Sequence, residues 1–233
     1  MATIVADVGI AHNASLLRAK NLAVEAVVAG ADAVKFQMFY CFRNLYKYQF
    51  SFEQWRELFS YLNSLSVDWF CTPFDVMSVY LLDDIGMTRW KIPSNPKVVH
   101  DRFLLKEIAN VRGKNELIIS TGISDHDDVD RMLQIFGGNN VTLLYCVSKY
   151  PCAVEDVHLE EIDRMRDRFK LPIGFSDHTV SVSLPAEAVH LHGAVIVEKH
   201  ITLDRAINLP DDCVSLDPVE FKDMVRLIKD VKS

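Results

Sequence analysis

The sequence predicts an α/β fold, a closed (β/α)8 TIM barrel that takes in residues 1–233 as a single domain. Three observations predict it. Short apolar runs alternate with segments of helical periodicity eight times along the chain. Eight strand–helix units within 233 residues match the size of such a barrel. An open doubly wound sheet would carry a glycine-rich phosphate turn after its first strand, and here that turn reads GIAHNAS, with one glycine.

The apolar runs place strands at Ile4–Val8, Ala33–Gln37, Val67–Thr72, Arg89–Pro93, Glu116–Thr121, Val141–Val147, Pro172–Ser176 and Ala194–His200. Helices are expected to begin near Ser15, Phe52, Val76, Asp101, Asp125, Leu159, Ser183 and Pro218. The first repeats apolar residues at Leu16, Ala19, Ala23 and Val27, and the second at Phe52, Trp55, Phe59 and Leu62. In the last, Asp217 caps, Pro218 opens and Glu220 completes a capping box before the apolar face of Phe221, Met224, Val225 and Ile228. The long aromatic loop at Phe39–Gln49 reads as a lid or an interface. No linker, low-complexity tract or internal repeat beyond the βα alternation interrupts the chain.

Composition narrows the function classes. A net charge of −7 argues against a general nucleic-acid surface and makes inward-facing lysines informative. No apolar run is long enough to cross a membrane, and the N-terminus lacks a secretory pattern. Five cysteines without paired metal spacing read as reduced thiols, so a cytoplasmic setting is expected.

In such barrels chemistry sits at the carboxyl ends of the strands. Those ends supply Asp7 with His12 and Asn13, then Lys35 and Gln37, Thr72, Lys91 and Ser94, and Ser120 with Thr121. The later ends supply Ser148 and Tyr150, then Ser176, Asp177 and His178, and finally Glu198 and His200. Alternation along a strand sends Glu198 and His200 one way and Lys199 the other. An unpaired buried ammonium is costly, so Lys35 and Lys91 point to an anionic ligand, the alternative being ion pairs with Asp7 or Glu198. Two histidines on neighbouring strands, His178 and His200, suit a divalent metal. A lone strand-end histidine more commonly serves structure, and His100, His158, His190 and His192 fall on helices or loops. Metal beside an anion pocket suggests a Lewis acid polarising a carbonyl next to an anionic co-substrate.

The segments ADVGIAHNAS, GADAVKFQ, CTPFD, WKIPS, ISTG, LLYCVSKYP, GFSDHT, VEKHITLDR and PDDCVSLDP, in that order, resemble the sialic acid (N-acetylneuraminate) synthase family. The resemblance implies condensation of phosphoenolpyruvate with a sugar aldehyde, N-acylmannosamine-like, to a 2-keto-3-deoxy acid. It implies a divalent metal on His178 and His200, manganese with magnesium or cobalt as substitutes. Lys35, Lys91, Thr72, Ser94, Ser120, Ser148 and Ser176 would surround phosphoenolpyruvate, and Gln37, Tyr150 and Asp211 would face the sugar. Asp7, Lys35, Lys91 and Glu198 make the catalytic set, with Glu198 managing a proton or an activated water.

The chain also departs from the family pattern. Asp7 replaces a glutamate, HNG reads His12-Asn13-Ala14, KIGSGE reads KIPSNP with Pro96 in place of a carboxylate, and an asparagine is Ser148. Leu209–Pro210 replaces glycine–proline before Asp211. The family's antifreeze-like domain has no counterpart in these residues, which leads to the expectation of a homodimer or of a separate antifreeze-like polypeptide as partner. The alternatives are the same chemistry on another aldose or aldose phosphate, and a non-catalytic sugar-binding barrel.

Overall fold

The computed structural model describes residues 1–40 and 45–230. Eight parallel strands, β1 (Thr3–Gly9), β2 (Ala33–Met38), β3 (Asp68–Pro73), β4 (Arg89–Ile92), β5 (Glu116–Ser120), β6 (Val141–Cys146), β7 (Ile173–Asp177) and β8 (Ile196–His200), each pair with the next in chain order. The barrel closes where β8 pairs with β1, Asp7 opposite His200. Every expected strand forms, its ends displaced by one or two residues at most. Strands β7 and β8 are buried at every position, as a parallel sheet covered on both faces requires.

The outer layer holds α1 (Leu16–Val28), α2 (Phe52–Ser64), α3 (Val76–Asp84), α4 (Pro96–Val99), α5 (Arg102–Arg112), α6 (His126–Phe136), α7 (Glu160–Phe169), α8 (Leu184–His190) and α9 (Pro218–Lys229). Side-chain caps start several of them: Ser51 with Gln54, Asp125 with Asp128 and Asp217 with Glu220 close capping boxes. Two expectations need correcting. The buried face of α1 is Ala19, Leu22, Ala23 and Ala26, while Val27 is 37% exposed, because the row from Leu16 drifts off the barrel side. The short α4 was not expected; Asn95 caps it and Pro96 occupies its first turn, where a missing amide hydrogen costs nothing.

Of the Phe39–Gln49 loop, residues 41–44, with Cys41 among them, lie outside the described residues. Phe39 is buried, and Tyr46–Tyr48 forms one 3-10 turn. Among the described residues no helix is long and apolar enough to cross a membrane.

Candidate active site

At the carboxyl ends of the strands lies a pocket of about 360 Å³. Its lining includes Asp7, Lys35, Gln37, Lys91, Ser94, Ser120, Tyr150, Ser176, His178, Glu198, His200 and Asp211. Of the residues assigned to substrate, metal or catalysis, two do not line it. Thr72 is buried, its hydroxyl without a hydrogen-bond partner among the described residues. Ser148 stands one hydroxyl back, 2.8 Å from Ser94 Oγ, which in turn accepts the Ile123 amide at 2.9 Å.

Four buried charges form the floor. Lys35 Nζ lies 2.7 Å from Asp7 Oδ2 and 3.2 Å from Glu198 Oε1. Lys91 Nζ donates to Ser120 Oγ at 2.7 Å and lies 3.6 Å from Glu198 Oε1. The ion-pair alternative for the two lysines is thus realised, and both also line the pocket. Burial pulls the Lys35 ammonium down, but Asp7 and Glu198 overrule it and leave it raised. For Lys91 burial prevails and its pKa is lowered, since its one carboxylate is more distant. Burial would raise Glu198, yet Lys35, Lys91 and His200 hold it at about 2. Ser176 Oγ donates to Glu198 Oε1 at 3.1 Å, whereas Glu198 Oε2, fully enclosed, has no partner among the described residues.

The two histidine rings have their centroids 5.9 Å apart. His178 Nδ1 donates to the Val147 carbonyl at 2.8 Å, which leaves Nε2 with its lone pair facing the Tyr150 hydroxyl at 2.9 Å. Burial and then the neighbouring His200 lower His178 to about 4, so its ring is neutral. His200 Nε2 lies 3.4 Å from Asp7 Oδ2, and its Nδ1 lies 4.0 Å from Asp211 Oδ2. Burial raises both Asp211 and the Tyr150 phenol.

Among the described residues no three His, Cys, Asp or Glu side chains form a ready-made metal shell. The donor chemistry still fits a divalent ion held by two imidazoles. A neutral His178 with its other nitrogen tied to a backbone carbonyl is the state a ligating histidine adopts, and the orphan Glu198 oxygen offers negative charge nearby. Tyr150 would have to yield its hydrogen bond.

The sequence reading missed several residues. Cys146, the last residue of β6 and opposite Ser176 in the β6–β7 register, lines the pocket. Asn95 and the apolar Leu45, Phe74, Pro93 and Pro210 also line it, with no chemical signature in the sequence. The lone glycine of GIAHNAS is Gly9, at φ +51° where the β1–β2 register shifts. A Cβ there would stand 2.9 Å from Asp211 Oδ2 and 3.2 Å from Gln37 Nε2, so only glycine lets these two close over the strand end. His12 does not line the pocket but is fully buried, its ring 4.4 Å from Phe50.

Comparison with known proteins supplies a frame for this geometry. A family described as the NeuB family matches residues 40–233. The N,N'-diacetyllegionaminic acid synthase of Legionella pneumophila is 34% identical over 99% of this chain and 72% of its own length. The pseudaminic acid synthase of Helicobacter pylori is 32% identical over 97% of this chain and 73% of its own length. The solved N-acetylneuraminic acid synthetase of Leptospira borgpetersenii, in complex with citrate, superposes with a TM-score of 0.88 at 29% identity, covering all of this chain and 85% of that one.

Proposed function

This chain belongs to the NeuB family, and on that premise we propose that it condenses phosphoenolpyruvate with an N-acylated sugar aldehyde of the N-acylmannosamine type, releasing phosphate and a 2-keto-3-deoxy acid. The family's members are sugar-acid synthases that form a carbon–carbon bond. The observation that carries the finer reading is one pocket holding two buried lysines, an ionised glutamate with a free oxygen and two strand-end histidines.

In this reading Lys35 and Lys91 neutralise the phosphate and carboxylate of phosphoenolpyruvate, with Ser94, Ser120 and Ser176 supplying hydrogen bonds. Thr72 and Ser148 support this set from behind. Gln37, Tyr150 and Asp211 hold the sugar hydroxyls, and the apolar Leu45, Phe74, Pro93 and Pro210 receive the acyl methyl. A divalent cation, manganese in our reading, held by His178 and His200 would supply Lewis acidity at the aldehyde oxygen. The enol carbon bonds to the aldehyde carbon, whose oxygen takes a proton; water adds to the electron-poor C2, and the C–O bond to phosphate breaks. In this reading the unpartnered Glu198 Oε2 holds that water. At about 2 its carboxyl is a weak base. A substrate that draws Lys35 and Lys91 onto its own charges raises it towards the range in which it accepts the water's proton. Asp7 keeps Lys35 charged and His200 oriented. The free thiols of Cys71, Cys146, Cys152 and Cys213 support a cytoplasmic setting.

The test is phosphate release from phosphoenolpyruvate across a panel of N-acylated and plain aldoses with added manganese, products weighed by mass spectrometry. A 2-keto-3-deoxy acid from an N-acyl sugar is expected. Phosphate release with no aldehyde dependence, or none with any aldehyde, overturns the reading.

A further inference from the structure

The mechanism leaves one buried charged pair unused. Asp177 and Lys199 face each other in the β7–β8 register, directly behind Ser176 and Glu198, with their side chains 0% exposed. Lys199 Nζ lies 2.7 Å from Asp177 Oδ2 and donates also to the Thr179 carbonyl. Asp177 Oδ1 accepts the Thr179 amide at 2.8 Å and Oδ2 the Thr179 hydroxyl at 3.2 Å. Asp177 immediately precedes His178 and Lys199 immediately precedes His200. Alternation sends the pair to the outer side of the sheet and the histidines to the pocket. A buried pair is costly to desolvate and often adds no net stability over apolar residues of the same shape. Here it ties, across two strands, the two backbone segments that aim the imidazoles, and through Thr179 it also fixes the turn that follows His178.

We propose that the Asp177–Lys199 pair is a positioning device that sets the separation and ring orientation of His178 and His200. The inference rests on the reading of these histidines as metal ligands, and the experiment separates the two. The double variant Asp177→Asn/Lys199→Met replaces the pair by a neutral one of similar shape and is expected to keep the fold. Thr179→Val, which replaces the hydroxyl by a methyl and also takes the acceptor from the Ser181 amide, is the milder change. Manganese binding by calorimetry should weaken tenfold or more in the double variant and about threefold in Thr179→Val, while the urea midpoints stay near wild type. A second readout needs no metal: nitrogen NMR of 15N-histidine-labelled protein should show His178 as one Nδ1–H tautomer in wild type and as a mixture in the double variant. Wild-type manganese affinity together with an unchanged His178 tautomer in both variants overturns the positioning role. A wild-type protein that binds no manganese overturns the metal assignment, and the ring spectra then decide the positioning role by themselves.

Discussion

Two buried charge networks lie back to back across β7 and β8, and they follow opposite rules. Inside the barrel Asp7, Lys35, Lys91 and Glu198 share contacts, and Glu198 Oε2 is left with none. Outside, both carboxylate oxygens of Asp177 are engaged, and Lys199 bonds twice. Side-chain exposure is 5% or less in both, so burial does not tell them apart; completeness does. A complete network holds backbone, whereas an enclosed acceptor with no partner is a place where a water or a substrate completes the set.

Replacing Glu198 is the sharpest way to break this contrast. Glu198→Gln keeps the shape, and Lys35 keeps Asp7, so the fold should survive while kcat/KM falls by about 10²–10⁴-fold. The outer counterpart is Lys199→Met, which leaves Asp177 buried without its cation and should cost about 3–5 kcal/mol of stability. Steady-state kinetics and urea unfolding on both variants check it. Equal stability losses in the two would erase the distinction between the networks.

The two lysines sharpen the inner side further. Lys91 has a hydroxyl and one distant carboxylate, while Lys35 is held by two carboxylates. Lys91→Met should weaken phosphoenolpyruvate binding by about 2–4 kcal/mol, the scale of a lost charge-assisted contact in a buried site. Its stability should fall less than that of Lys35→Met, which strands both Asp7 and Glu198. Calorimetry and unfolding on the pair of variants measure both differences; unchanged affinity in Lys91→Met would make that lysine structural.

Much of this was legible in the sequence. Strand number, closure and the inner faces of β1, β2, β4 and β8 follow from period-two alternation, because Asp7, Lys35, Lys91 and Glu198 interrupt otherwise apolar runs. The outer pair was half legible: alternation sends Lys199 outward, and the same rule applied from Ser176 and His178 sends Asp177 outward too. Proximity to a histidine made Asp177 look like a site residue. Helix α4 was hidden because Pro96 read as a departure from the family's carboxylate, not as a helix start. The apolar wall of Leu45, Phe74, Pro93 and Pro210 comes from four separate segments, which no local pattern brings together.

His12 offers a third kind of burial, one without any countercharge. Burial, then Arg18 nearby, lowers its pKa from 6.5 to about 3. The folded state therefore keeps His12 neutral, while the unfolded chain takes up a proton below about pH 6.5. Stability is intact at neutral pH and falls as pH drops through the window from 6.5 to 3, by about 2 kcal/mol at pH 5. In His12→Gln the slope of stability against pH over this window should be shallower by one group, whatever the absolute stability of the variant. Urea unfolding at several pH values gives that slope, and identical slopes would show that His12 is not the neutral buried group described.

The smallest expected effect concerns strain, which also divides the two sides. The end of β1 and the loop after it, on the pocket side, have three left-handed residues: Gly9 at φ +51°, Asn13 at 48° and Ala14 at 56°. Asparagine tolerates this region and glycine favours it, but alanine brings its Cβ too close to the following carbonyl, at about 1–2 kcal/mol. Ala14 is exposed, so its methyl makes no buried contact that would offset the strain. Its amide donates to His12 Nδ1 at 3.2 Å, which ties the loop's shape to the buried imidazole. Ala14→Gly should remove the strain and give back about 0.4–1 kcal/mol through the freer unfolded chain. The net gain is about 0.5–1 kcal/mol, or roughly 1–4 °C in Tm for a chain of this size. Ala14→Val, branched at Cβ, should move Tm the other way. A gain in Tm with kcat/KM unchanged would mark the strain as incidental to the pocket. A gain in Tm with a fall in kcat/KM would show that the inner side uses its strained loop to hold the site, as it uses its incomplete charges. A fall in Tm for Ala14→Gly would mean that the alanine methyl carries a stabilising contact after all.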